Sequence, residues 1–138
     1  MRIWVTLGAS ALALGLAGSN SASAAPAIPL NSGQEVEAGD HNGHGFFSYS
    51  LDGTTFCYTL DWGRIDTAIA AHVHKAPRHV AGPVVIPLDV GDGSGAPVSE
   101  CTEIDAPLAA DLAANPKTFY VNVHNEAFPG GAIRGQLK

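Results

Sequence analysis

Positive charge is scarce in this chain. Only 7 Lys and Arg stand against 13 Asp and Glu in 138 residues, for a formal net charge of −6. The cationic residues form no run, so nothing in the chain neutralises a row of phosphates. Nucleic acid and anionic membrane surfaces are therefore excluded as partners. The acidic residues are scattered and read as a solubilising surface. Cysteine is scarcer still: Cys57 and Cys101 are far apart and make no C-x-x-C motif, which argues against a metal-thiolate or redox pair. No serine stands in a G-x-S-x-G context, so nucleophilic catalysis finds little support. Internal repeats and signs of a second domain are also missing. The one long apolar run, near the N-terminus, is too short and too rich in Gly and Ala for a membrane span.

That N-terminal run has the order of a secretory signal. Arg2 gives the positive region, residues 3–17 the apolar region, and Ala22-Ser23-Ala24 an A-x-A cleavage site. A signal peptide over residues 1–24 and a single domain over residues 25–138 are expected, with no cysteine after the cut to carry a lipid anchor. The protein is then exported, to the periplasm or the cell surface, without inserting in the membrane. In an oxidising compartment Cys57 and Cys101 are expected to bond. Such a bond closes a loop of roughly 45 residues, worth about 4 kcal/mol at most through chain entropy.

Period-2 alternation recurs along the chain. Phe47, Tyr49 and Leu51 alternate with Ser48 and Ser50, and Asp52-Gly53 then offers a hairpin turn. Phe56, Tyr58, Leu60 and Trp62 share the next face, with Thr55, Cys57, Thr59 and Asp61 opposite. Ile69, Ala71 and Val73 are expected to face the core, against Ala70, His72 and His74. Val84, Ile86 and Leu88 follow, with Pro87 marking an edge or strand end. Only residues 105–115 look helical: Leu108 and Leu112 are four apart, Asp105 suits the N-cap, and Asn115-Pro116 stops the run. The acidic, glycine-rich stretch at residues 91–95 reads as a turn, since it lacks a calcium-ligand series. The fold class is therefore all-β: an antiparallel β-sandwich or flattened barrel with one short helix.

The C-terminus carries the richest pattern. Tyr120-Val121-Asn122-Val123-His124 and Ala132-Ile133-Arg134-Gly135-Gln136-Leu137 flank Pro129-Gly130-Gly131, a chain-reversing segment with two residues free to take positive φ. With Gln34-Glu35-Val36, the hairpin around Asp52-Gly53, Ala71-His72-Val73-His74, Gly82-Pro83-Val84-Val85 and Asn115-Pro116, in that order, these segments resemble the CHRD domain, a module named for its occurrence in chordin and found widely in secreted bacterial proteins. The resemblance spans roughly residues 30–137 and takes Gln34-Glu35-Val36 as an opening strand. Two departures stand out: Glu37-Ala38-Gly39 replaces prolines usual after that signature, and Lys75 replaces a glycine after His-x-His. Because CHRD domains occur inside multidomain extracellular proteins as well as alone, the resemblance implies a module more than a dedicated enzyme.

Histidine supplies the candidate chemistry. His72 and His74, at i and i+2 on a strand, project from one face about 6.5–7 Å apart. Both imidazoles then reach one ion at about 2.0–2.1 Å. His124 shares its face with Tyr120 and Asn122, opposite Val121 and Val123, and is the third candidate ligand. Glu35 is the candidate fourth, or an acceptor that orients a histidine. Such a set suits Zn²⁺ or Cu²⁺. The rival reading is a structural polar ladder of hydrogen-bonded side chains. The His-x-His pattern is similar to strand ligands of copper-zinc superoxide dismutase by analogy only, since the rest of that family's pattern is absent. His41 and His44 sit in a glycine-rich segment expected to be a solvated loop, and His79 has no evident partner. Arg134 and Gln136 are expected to support the polar face by pairing across strands with Glu126 or Asn122, and Gly135 to allow a close backbone approach or a bulge.

Three functions remain open at this level: an exported binding module for a metal ion or an extracellular protein partner, a copper- or zinc-dependent extracytoplasmic enzyme, and a structural or adhesive domain.

Overall fold

In the computed structural model residues 26–138 are described; the expected signal peptide lies outside the described residues. The strands are β1 (Ile28–Asn31), β2 (His44–Asp52), β3 (Thr55–Gly63), β4 (Ala68–Lys75), β5 (Val84–Leu88), β6 (Val98–Glu103), β7 (Phe119–Asn125) and β8 (Ile133–Gln136). They make one antiparallel sheet in the order β5-β4-β7-β8-β1-β2-β3-β6. The sheet curls into a half-barrel, so residues of β3 and of β7 meet in one apolar core although they lie far apart in the strand order. The expected all-β antiparallel class with one short helix holds. Its packing is sandwich-like, while its hydrogen bonding runs unbroken through a single sheet.

Alternation builds this core. On β3, Phe56, Tyr58, Leu60 and Trp62 are buried while the residues between them are half-covered. Cys57 belongs to the outward row, directly opposite Cys101 on the edge strand β6, and the two are bonded as expected. The helix α1 (Ala106–Ala114) starts where Asp105 accepts a hydrogen bond from the Leu108 N–H at 3.2 Å, and it seats Leu112 in the core. The N-cap and the Pro in its first turn account for both the start and the direction of this short element.

Some expectations shift. A register irregularity between Ala68 and Ala70 turns Ile69 outward, 62% exposed, so Ala68 rather than Ile69 joins Ala71 and Val73 in the core. A bulge places an extra residue against one partner and reverses the alternation around it. Gln34 closes a 3-10 turn (Ser32–Gln34) after β1 instead of opening a strand, and Glu35 follows it in extended backbone. His44 is not in a loop. It begins β2, exposed, opposite Gly63. The β7–β8 connection spans residues 126–132, and of Gly130 and Gly131 only Gly131 takes positive φ, at 134°.

Gly135 allows β1 to lie against β8. A Cβ there would sit 2.5 Å from Leu30 Cδ2 and 2.7 Å from the Pro29 carbonyl oxygen, too close for any side chain. Gly135→Ala is therefore expected to destabilise the protein by about 1–3 kcal/mol, the usual effect of overpacking a filled site. Urea denaturation checks this as a lower midpoint at an unchanged slope. An unaltered midpoint would contradict the close approach of β1 to β8.

Candidate metal centre

Strand β7 is buried along its whole length. One row, Phe119, Val121 and Val123, enters the apolar core at 0% exposure. The other row, Tyr120, Asn122 and His124, lies on the opposite face and is covered by loops 76–83 and 126–132. Beside it runs the polar row of β4, with Tyr120 opposite His74 and Asn122 opposite His72. His124 stands opposite Ala70, which puts it diagonal to His72 and within reach of it.

The three histidines converge. Each offers a ring nitrogen, and these lie within 4.8 Å of one another. His72 and His124 approach most closely, Nδ1 to Nε2, at 3.1 Å. Two imidazole nitrogens that share one tetrahedral ion stand about 3.3 Å apart, given bonds of about 2.0–2.1 Å.

Two backbone carbonyls set the tautomers. A carbonyl oxygen only accepts, so the His74 Nδ1–H donates to Gly82 O at 2.8 Å and the His124 Nδ1–H donates to Pro129 O at 2.9 Å. Both rings therefore carry their lone pair on Nε2. This is the second-shell pattern that aims and strengthens imidazole ligands. The His124 Nε2 takes the hydrogen bond from His72. The His74 Nε2 is buried without a partner.

Glu35 is not a member of the three-histidine group. It lies under the 126–132 loop, where a Cβ on Gly131 would sit 2.3 Å from its Oε1. Burial is the largest influence on its carboxyl and raises it to about 7, against opposing effects of Arg134 and Asn122. Burial likewise holds His72, His74 and His124 below their ordinary value, which favours the neutral ring. Neutral imidazoles take a cation without a net loss of protons, once the His72 proton moves from Nδ1 to Nε2 and frees the nitrogen that faces His124.

Arg134 and Gln136 face this polar layer but do not pair with Glu126. Arg134 is opposite Asn122 in register, yet its guanidinium donates to Val80 O and Pro77 O, both at 2.9 Å, and to Gln136 Oε1 at 3.2 Å. Gln136 donates to Ala76 O and Lys117 O, both at 2.8 Å, and its own N–H reaches Gln34 Oε1 at 3.1 Å. The carbonyls of Gly82 and Pro129 were invisible to sequence reasoning, because any residue brings a carbonyl and only the fold aims it. His41, His44 and His79 are exposed and stand outside the histidine group. The surface clefts around the disulfide and between the free edges of β5 and β6 contain none of the three histidines.

Fold and site together define a small disulfide-bonded β-domain with a histidine cluster on the covered outer face of its sheet. The CHRD domain family matches residues 27–137, nearly the whole chain, and the chain belongs to that family. No curated protein and no solved structure matches it. Family membership and the disulfide fit a small extracellular binding module. No described helix is long and apolar enough to cross a membrane.

The titrations have opposite signs. Glu35, raised when folded, contributes stability below its unfolded value near 4.5 and loses it as pH rises through about 7. The histidines, lowered when folded, contribute stability above 6.5 and lose it as pH falls. Glu35→Gln is expected to leave the histidine part alone, so that stability climbs toward pH 6.5 and then stays level. Chemical denaturation from pH 4 to pH 8 checks it; identical pH profiles for the variant and the wild type would contradict the buried placement of Glu35.

Proposed function

We propose that this protein is an exported module that binds one divalent metal ion, Cu²⁺ or Zn²⁺, through His72, His74 and His124. One observation carries the reading: the His74 Nε2 is buried and, although Asn122 lies beside it, makes no hydrogen bond, and two further imidazoles stand next to it. In a structural ladder that atom would be hydrogen-bonded, since a buried polar atom left unpaired costs about 1–3 kcal/mol. The available ligand chemistry narrows the metal. Both cysteines are in the disulfide and the single methionine is Met1, so the described residues offer no thiolate or thioether. Imidazole alone suits Zn²⁺ and Cu²⁺, and where both are present the affinity order favours Cu²⁺. Glu35 serves as a neighbour of the site, beside Asn122, more than as a fourth ligand.

Isothermal titration of Cu²⁺ and Zn²⁺ into untagged protein tests this. One equivalent is expected to bind at pH 7.5, with affinity falling steeply below about pH 6 as protons compete for the imidazoles. His72→Ala or His124→Ala is expected to remove most of the affinity, while His41→Ala and His44→Ala change little. Equal binding by wild type and the His72→Ala/His124→Ala double variant would rule the site out and favour the polar ladder.

The Cys57–Cys101 bond supports the exported part of this reading, because disulfides persist in oxidising compartments. The mature protein is expected to begin at Ala25, which N-terminal sequencing of extracytoplasmic material checks. A sequence that begins at Met1 would show that residues 1–24 are not a cleaved signal.

A further inference from the structure

We propose that Arg134 is a positioning residue for the histidine site. It holds loop 76–83 against the sheet so that the Gly82 carbonyl keeps His74 in the tautomer with a free Nε2. This rests on the reading of the three histidines as a metal site.

The loop has little backbone pairing of its own. Lys75 N–H to Pro83 O closes its base at 3.1 Å, and Val80 N–H to Pro77 O makes one turn at 3.2 Å. Besides the His74 contact to Gly82 O, its position on the sheet comes from side chains of β7 and β8. Arg134 donates to Pro77 O and Val80 O, Gln136 to Ala76 O, and the Tyr120 hydroxyl accepts from Gly82 N–H at 3.2 Å. Four of the loop's backbone positions are thereby tied down, and the last of them is the residue whose carbonyl orients His74.

A second contact joins the same residues through their rings. The Arg134 guanidinium carbon lies 3.3 Å from the Tyr120 ring centroid, and the Tyr120 ring stacks on His74 at 4.7 Å with planes 4° apart. Strands β8 and β4 flank β7 on opposite sides, so Tyr120 is held between the cation and the imidazole. Arg134 thus fixes His74 twice, once through the loop that accepts its Nδ1–H and once through the ring that limits its tilt. Arginine suits this task because its planar fork donates to two carbonyls while its face lies on an aromatic ring. The guanidinium is 0% exposed and its Nε has no partner, so it is held here at the expense of solvation.

The test reads the His74 tautomer in metal-free protein by two-bond ¹H–¹⁵N correlation, and Zn²⁺ and Cu²⁺ affinity by titration. Wild type is expected to show the proton on Nδ1. In Arg134→Gln, His74 is expected to become a mixture of tautomers, and affinity to fall about 10- to 100-fold, the usual effect of losing an orienting partner. Tyr120→Phe keeps the ring and removes the hydroxyl from Gly82, and is expected to shift both readouts in the same direction by less. A purely structural role for Arg134 would lower the melting temperature alone. A folded Arg134→Gln variant with its proton still on Nδ1 and affinity within twofold of wild type overturns the proposal. If Arg134→Gln does not fold, Tyr120→Phe decides by the same two readouts, and no change in either overturns it. Failure of the wild type to bind either ion removes the metal reading, while the tautomer comparison still decides the clamp.

Discussion

Burial of β7 on both faces is the constraint on which the rest of the molecule depends. Its Phe and Val row needs only apolar neighbours, which the curled sheet supplies. Its Tyr120, Asn122 and His124 row is equally buried and needs hydrogen-bond partners, because a polar group taken out of water without one is expensive. The two neighbouring strands supply part of the cover through His72, His74, Arg134 and Gln136. The remainder comes from loops 76–83 and 126–132, which contribute backbone carbonyls rather than side chains. The site is thus the place where a central strand's polar face meets two irregular segments able to aim carbonyls at it.

Irregular cover of this kind suits binding better than stability. A ladder of side chains would satisfy every atom, yet Glu35 Oε1, His74 Nε2, Asn122 Oδ1 and Arg134 Nε are buried without partners in this layer. Native interiors carry few such atoms, and they gather where function overrides packing. The charge balance points the same way. Arg134 brings a fixed positive charge into the layer, and the Glu35 carboxyl beside it, displaced to about 7, is poised near neutrality. Burial favours the neutral form of the three imidazoles and so disfavours further positive charge in the layer, which leaves room for a cation among them.

Much of this was legible from period-2 alternation. Spacing alone placed His72 and His74 on one face and set His124 opposite Val121 and Val123, because a strand leaves a side chain no third direction. The count of two cysteines in a chain expected to be exported gave the bond between Cys57 and Cys101. Ile69 was misplaced because a bulge is a property of the pairing, which depends on where β7 lies and not on β4 alone. The partners of Arg134 and Gln136 were misjudged for a different reason. Cross-strand pairing rules rank side chains against side chains, whereas these two reach the carbonyls of a loop 54 to 60 residues away. Glu35 was recognised as part of the polar layer, but a 3-10 turn rather than a strand delivers it there.

Those separations also order the assembly of the site. The β2–β3 hairpin closes through a two-residue turn and pairs along nine residues, so its contacts are local. The histidine layer requires β4, β7 and β8 to be paired, the 76–83 loop to be laid over them, and Gln34 from near the start of the domain to accept from Gln136. Loop-closure entropy must be overcome before such distant contacts contribute. The site therefore forms only when both ends of the domain are in place, and β8 is the element that joins them. It carries Arg134 and Gln136 toward the loop, Gly135 against β1, and Ile133 into the core within four consecutive residues. A change in β8 is felt at once by the sheet closure and by the orientation of His74, although no residue of β8 belongs to the histidine group itself.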